Sequence, residues 1–388
     1  MVTNKEQNKL NVPHLRFPEF EGEWEKCKLG ELAVKVGSGS TPKGGNAVYT
    51  TSGHCFVRSQ NVGMGHLILN DIAYIDESTH QKQKSTELRT NDVLLNITGA
   101  SIGRTALATE EINGGNVNQH VCIIRTNSNV EPSYICDYIQ TSKIQKYIQS
   151  LQTGGSREGL NFEQIRSFPI NIPTVEEQVK IAKLLSLINE RIATQSKLIE
   201  KLESLIKGIS NRIFASIQGI EYRMGDIVTI TNGNSNVQDA VTQSKDGLYP
   251  FFDRSEDIKY LPTFLFDKEA IIYPGEGTEF MPRYFKGKFA LHQRCYAIFD
   301  FNEIINARFL YFYLKTRNSY FVKNAVGSTV PSLRLDTFQK LKVIIPPKKT
   351  QHSVSSCLSS MEQKCNVEKK ILYKLLNQRQ YLLRQMFI

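Results

Sequence analysis

The sequence predicts an α+β protein built from two similar mixed α/β domains, separated by two long helices that pair as an antiparallel coiled coil. Three observations predict it. The chain repeats itself, each copy ends in a heptad-patterned stretch, and each copy holds short apolar runs broken by glycine-rich turns. At 388 residues it exceeds the size at which a single core keeps growing, so more than one domain is expected.

The repeat organises everything else. Residues 160–173 read LNFEQIRSFPINIP, and residues 333–346 read LRLDTFQKLKVIIP. Upstream, GGSREGL (154–160) faces GSTVPSL (327–333), and Asn118-Gln119-His120 faces His292-Gln293-Arg294. DVLLNITGASIG (92–103) faces EAIIYPGEGT (269–278), which sets Asp92 opposite Glu269, and LGEL (29–32) faces MGDI (224–227). Matches in one order along the chain indicate a duplication with pseudo-twofold character. The expected mixed domains are 1–172 and 219–345, and the expected spacer helices are 173–218 and 346–388.

Within the first copy, the apolar runs at 93–97 and 121–124 read as buried strands, residues 132–151 have helical spacing, and the glycine-rich segment 37–45 reads as a loop. The first spacer then places Ile181, Leu185, Ile188, Ile192, Gln195, Ile199, Leu202, Ile206, Ile209 and Ile213 at alternating steps of four and three, the seam of a coiled coil. Thr174 and Glu177 form a capping-box pattern at its start. In the second copy, 232–236 reads as a loop, 270–273 as a strand and 307–323 as a helix. Its spacer repeats the seam with Val354, Leu358, Met361, Cys365, Glu368, Leu372, Leu375, Arg379, Leu382 and Met386, and the polar break at Gln195 recurs at Glu368. Two helices of this kind bury their seams most simply against each other. An antiparallel pair sets the two globular units at opposite ends of a rod about 48 Å long, at ~1.5 Å per residue.

Composition narrows the function. No apolar run approaches the ~18 residues that a membrane-spanning helix needs, so no membrane partner is expected. The opening MVTNKEQNKL lacks the apolar core of a signal peptide. Seven cysteines with no CxxC pair fit a reducing cytoplasm better than a disulfide framework. The net charge is +10, and residues 346–388 hold eight basic against two acidic side chains. That excess points to a polyanionic partner, nucleic acid before membrane. Neither a GxxxxGK phosphate loop nor a ligand-spaced histidine set occurs. The tripeptide Asp267-Lys268-Glu269 matches a nuclease pattern only loosely, so no catalytic residue and no metal site are expected.

The stretch LRFPEFEGEWEKCKLGEL (15–32), the GGS…NFEQIRSFPINIPTVEEQ segment (154–178) and its GST…PP-Q echo resemble a type I restriction–modification specificity subunit. The resemblance covers essentially the whole chain. It implies two target-recognition domains, each reading one half of a split asymmetric site in double-stranded DNA. It further implies two methyltransferase subunits, which bring S-adenosylmethionine, and motor-nuclease subunits, which bring ATP and Mg. On this reading the chain binds no cofactor and catalyses nothing itself. The second copy has Lys348-Lys349-Thr350-Gln351 where the first has Val175-Glu176-Glu177-Gln178, so the first turn of its helix departs from the pattern.

Base edges are read by side chains with matching donors and acceptors: Arg with guanine, Asn or Gln with adenine, Ser or Thr with either. In the first copy the loop candidates are Arg58, Gln60, Asn61, Asn118, Gln119, His120, Ser156 and Arg157. In the second they are Asn232, Asn234, Arg254, His292, Gln293, Arg294 and Ser328. Two alternatives compete with this reading: a coiled-coil scaffold that binds no DNA, and a fused restriction–modification enzyme with its own activity. Salt-dependent DNA affinity separates the first, and methyl transfer by the chain alone the second.

Overall fold

The structure, a computed structural model, describes residues 11–44, 48–152 and 159–388. It divides into two units, residues 1–195 with 371–388, and residues 196–370. Each unit takes one mixed domain and half of each long helix.

The first unit contains β1 (Glu25–Lys28), α1 (Leu29–Leu32), β2 (Ala33–Ser38), β3 (His54–Val57), β4 (Ala73–Ile75), α2 (Glu77–Lys82), β5 (Val93–Asn96), β6 (Thr105–Leu107), β7 (Asn116–Val117) and β8 (Val121–Thr126). These are followed by α3 (Pro132–Ile139), α4 (Ser142–Ser150), α5 (Phe162–Arg166), β9 (Pro169–Ile172) and the start of α6 (Val175–Ser216). One sheet has the order β2-β8-β5-β6, another β4-β3-β7, and β1 pairs with β9.

The second unit contains the end of α6, then β10 (Ile220–Arg223), β11 (Thr229–Asn232), β12 (Tyr249–Phe252), β13 (Lys259–Leu261), β14 (Phe266–Pro274), β15 (Arg283–Leu291) and β16 (Cys295–Phe299). After them come α7 (Ala307–Lys315), α8 (Asn318–Asn324), α9 (Leu335–Gln339), β17 (Lys342–Ile345) and the start of α10 (Lys348–Gln385). Here a single sheet runs β11-β16-β14-β15-β12-β13. The first unit follows the same order once β6 and β7 are taken as the two ends of one interrupted strand. β6 lies beside β5 as β15 lies beside β14, and β7 runs parallel to β3 as β15 runs parallel to β12. The duplication in the sequence is therefore a duplication of topology.

Strand register corrects one alignment. Val93 faces Ile124, and Ile271 faces the corresponding Ile298. Val93 thus matches Ile271, one residue further on than pairing Asp92 with Glu269 implies. A one-residue slip moves every side chain to the other face of a strand. Two further expectations need correction. The helical stretches at 132–151 and 307–323 are each two helices. At both breaks a threonine hydroxyl satisfies the preceding helix: Thr141 Oγ1 donates to the Tyr138 carbonyl and Thr316 Oγ1 to the Tyr313 carbonyl, both at 2.7 Å. Gly37, read as loop, lies in β2 opposite Ile123, and Asn232 closes β11, so both loops start later than expected.

Both long helices form, and every described position of the two seams is buried or half-buried, whereas Leu187 and Leu205, off the seam, are 55% and 52% exposed. In the first unit Ile181, Leu185 and Ile188 share a core with Leu382, Leu383, Met386 and Phe387, and Arg379 Nε donates to Asn189 Oδ1 at 2.5 Å. In the second, Phe214 joins Leu358 in a core bordered by Ile209, Ile213, Val354 and Met361, while Lys369 pairs with Glu203 at 2.6 Å. Within each unit α6 advances as α10 retreats, so the packing is antiparallel.

The helix starts differ from the capping-box expectation in one respect. Thr174 Oγ1 accepts from the Glu177 amide at 3.4 Å, but the Glu177 carboxylate turns to Arg16, at 2.9 and 2.8 Å. The helix is held instead by a buried glutamine. Gln178 Nε2 donates to the Pro173 carbonyl and its Oε1 accepts from the Glu131 amide, both at 2.9 Å. Gln351 repeats this: Nε2 donates to the Pro346 carbonyl at 2.9 Å and to the Ile304 carbonyl at 2.8 Å, and Oε1 accepts from the Asn306 amide at 2.7 Å. The glutamine shared by both spacers is thus the pin between spacer and domain, and it orders the second helix from Lys348 despite the changed first turn.

Candidate nucleic-acid interface

Parallel strands end at the same sheet edge, and this brings the polar loops together. β3 and β7 are parallel, so residues 58–61 and 118–121 leave the sheet side by side. The Asn118 amide donates to the Val57 carbonyl at 3.0 Å. In the second domain β12 and β15 do the same for residues 253–255 and 292–295, and the His292 amide donates to the Phe252 carbonyl at 2.9 Å.

The same tight turn follows in both. The Val121 amide donates to the Asn118 carbonyl at 3.4 Å, and the Cys295 amide to the His292 carbonyl at 2.9 Å. The first residue of each turn folds its side chain inward: Asn118 Oδ1 accepts from the His120 amide at 3.0 Å, and His292 Nδ1 accepts from the Arg294 amide at 3.2 Å. Burial lowers the His292 pKa, which keeps the ring neutral and able to accept. Gln119 and His120, and correspondingly Gln293 and Arg294, are the residues the two turns present. Glycines let the neighbouring loop in: a Cβ on Gly39 would lie 1.8 Å from the Val117 carbonyl oxygen, and one on Gly233 would lie 2.0 Å from that of Leu291.

Not every candidate faces outward. Asn61 is buried, its Oδ1 accepting from the Arg58 amide at 3.0 Å and its Nδ2 donating to the Ile68 carbonyl at 2.9 Å. Asn61, Asn118 and His292 are therefore turn formers, each spending a side-chain acceptor on a backbone amide of its own turn. Arg58 Nη2 donates to the Asp71 backbone carbonyl at 2.7 Å and to Asp71 Oδ2 at 3.2 Å, and Gln60 Nε2 donates to the same Oδ2 at 2.6 Å, so one aspartate holds both side chains. Ser156 and Arg157 lie outside the described residues. In the second domain Asn232 Nδ2 donates to the Gln293 carbonyl at 3.3 Å, Asn234 is exposed, and Ser328 is exposed on the loop between Val326 and Ser332. Arg254 is exposed and makes no ion pair among the described residues. It lines a cavity of 510 Å³ with Lys259, Glu276, Gln293 and Arg294.

Sequence reasoning missed the residues that hold the presented side chains. Gln119 Nε2 donates to His120 Nε2 at 2.9 Å, which leaves Nδ1–H to donate to Thr98 Oγ1 at 2.6 Å. Thr41 Oγ1, on the loop after β2, donates to the side-chain Oε1 of Gln119. In the second domain Arg294 Nη1 donates to both carboxylate oxygens of Glu276, at 2.8 and 3.0 Å. By the strand register Thr98 and Glu276 occupy the same place, each just beyond the central strand, and each bridges to a later loop, at Gly159 and Ser332. Among the described residues no group of three or more His, Cys, Asp or Glu is arranged to hold a metal ion, and no helix is long and apolar enough to cross a membrane.

Two copies of one mixed fold, each carrying a polar turn beside a parallel strand pair and each packed on half of a helix pair, define an internally duplicated two-domain protein with coiled-coil spacers. The type I restriction modification DNA specificity domain matches residues 21–204 and again residues 220–377, and the chain belongs to that family. Among curated relatives, it is 28% identical over 138 residues to the type I restriction enzyme EcoDI specificity subunit of Escherichia coli, covering 36% of this chain and 30% of that one. It is 24% identical over 210 residues to the putative type I restriction enzyme MjaX specificity subunit of Methanocaldococcus jannaschii, covering 53% of this chain and 48% of that one. The aligned stretches thus span less than half of either relative. The crystal structure of a type I restriction–modification system S subunit from M. genitalium shares the fold with a TM-score of 0.67 at 18% identity, over 97% of this chain and 99% of that one.

Proposed function

We propose that this chain binds double-stranded DNA as the specificity subunit of a type I restriction–modification complex, each mixed domain reading one half of a split, asymmetric target. The observation that supports this best is the turn built twice from the same hydrogen bonds. It presents Gln119 and His120 in one domain and Gln293 and Arg294 in the other. One scaffold with different side chains at the same post suits two half-sites of different sequence. Arg58, Gln60, Asn232, Asn234, Arg254 and Ser328 border the turns and supply further base or phosphate contacts. Two methyltransferase subunits carrying S-adenosylmethionine and motor-nuclease subunits using ATP and Mg assemble on it in the cytoplasm. The chain directs their chemistry and performs none.

The test is a salt titration of DNA binding with the purified chain. Each phosphate contact contributes about −0.9 to the slope of log K against log salt. A steep negative slope with a duplex is expected, and a flat one contradicts the proposal. In the same preparation, no methyl transfer from S-adenosylmethionine is expected until methyltransferase subunits are added.

A further inference from the structure

We infer that Arg294 is the guanine-reading residue of the second domain and that Glu276 positions it; this rests on the DNA-reading role proposed above. Both bonds to Glu276 come from a single nitrogen, Nη1. Nη2 and Nε make no hydrogen bond among the described residues, and the Arg294 side chain is 63% exposed while Glu276 is 18% exposed. The guanidinium is thus anchored at one corner and offers its other N–H groups as a fork toward solvent. That fork matches the paired acceptors O6 and N7 on the major-groove edge of guanine, which no other base presents.

The main chain beneath is equally constrained. A Cβ on Gly275 would lie 1.9 Å from the Arg294 carbonyl oxygen, and the Arg294 amide is tied to His292 Nδ1 at 3.2 Å. Neither the backbone nor the near corner of the side chain has much freedom, so base contact costs little ordering. The first domain repeats the arrangement with other chemistry. His120 stands at the post of Arg294 and Thr98 at the post of Glu276. The post is therefore a specificity position in both domains, and only in the second does a guanidinium fork stand at it.

The experiment selects duplexes from a random-sequence library with the full-length chain and sequences the bound fraction. For the unaltered chain one half of the enriched motif is expected to contain a strongly preferred guanine. Arg294→Ala and Arg294→Lys are each expected to weaken that preference about 5- to 150-fold, with the other half unchanged. The lysine variant keeps the charge and loses the fork, so it separates base reading from phosphate contact. If Arg294→Lys preserves the guanine, the residue contacts phosphate and the inference falls. Glu276→Gln is expected to blur the same position without lowering affinity for a non-target duplex; full retention of the guanine overturns its positioning role. Failure of the unaltered chain to enrich any sequence overturns the DNA-reading proposal itself, an outcome distinct from enrichment that ignores Arg294.

Discussion

Gln178 and Gln351 show what a single buried side chain can hold. Each closes bonds to a proline carbonyl one turn back and to an amide that opens a domain helix, and each is 1% exposed or less. Replacing either by leucine keeps the volume but strands these backbone groups, at about 1–3 kcal/mol. A drop in thermal stability of that size is expected for Gln178→Leu and Gln351→Leu alike, measured by calorimetry. An effect near zero contradicts the pin. The glutamines were visible in the sequence as members of a repeated motif, but their partners were not, because Glu131 and Asn306 are far away along the chain. The turn-forming role of Asn61 and Asn118 was hidden for a related reason. An amide side chain looks the same in sequence whether it faces solvent or caps its own turn. Glu276 was hidden by the one-residue alignment slip, which only the ladder from Ile271 to Ile298 removes.

The heptad seam was the most legible element, since a 4-3 spacing of apolar residues sustained over this length marks the face that a long helix buries. Its consequence is position-specific. Leu185 is fully buried and Leu187 is 55% exposed two residues later. Leu185→Ala is expected to cost about 2–4 kcal/mol and Leu187→Ala less than about 0.5 kcal/mol, read from denaturant midpoints. Equal effects contradict the register. The polar seam position Arg379 lies between Asn189 and the domain helix α3, where it bonds Gln140 Oε1 at 2.5 Å and sits 3.6 Å from Asp137. Burial pushes the Asp137 carboxyl up to about 7, against the pull of Arg379. Its folded pKa therefore lies above the unfolded value of ~3.9, so the folded protein binds more protons between about pH 4 and pH 7. Stability from this group falls as pH rises through that window. Asp137→Asn is expected to flatten the pH dependence of thermal unfolding there, and an unchanged slope contradicts the assignment. The helix breaks at Thr141 and Thr316 were not legible, because apolar spacing runs on across a break that a hydroxyl cap makes.

For the molecule as a whole, the duplication was legible from the ordered series of matches that ends in residues 160–173 and 333–346, and the sheet order confirms it strand by strand. The polar turns that follow from it were legible only in part. Loop composition singled out the segments 56–61, 114–120, 254–256 and 292–294, while which side chains the turns present waited on the turn geometry. The central claim is that each copy reads its own half-site. It is tested most directly by exchanging residues 24–172 for the equivalent segment of a relative with a different target, and mapping the methylated sequence made by the assembled complex. One half of the recognised sequence is expected to change to the relative's, with the other half retained. A change in both halves, or in neither, contradicts the account.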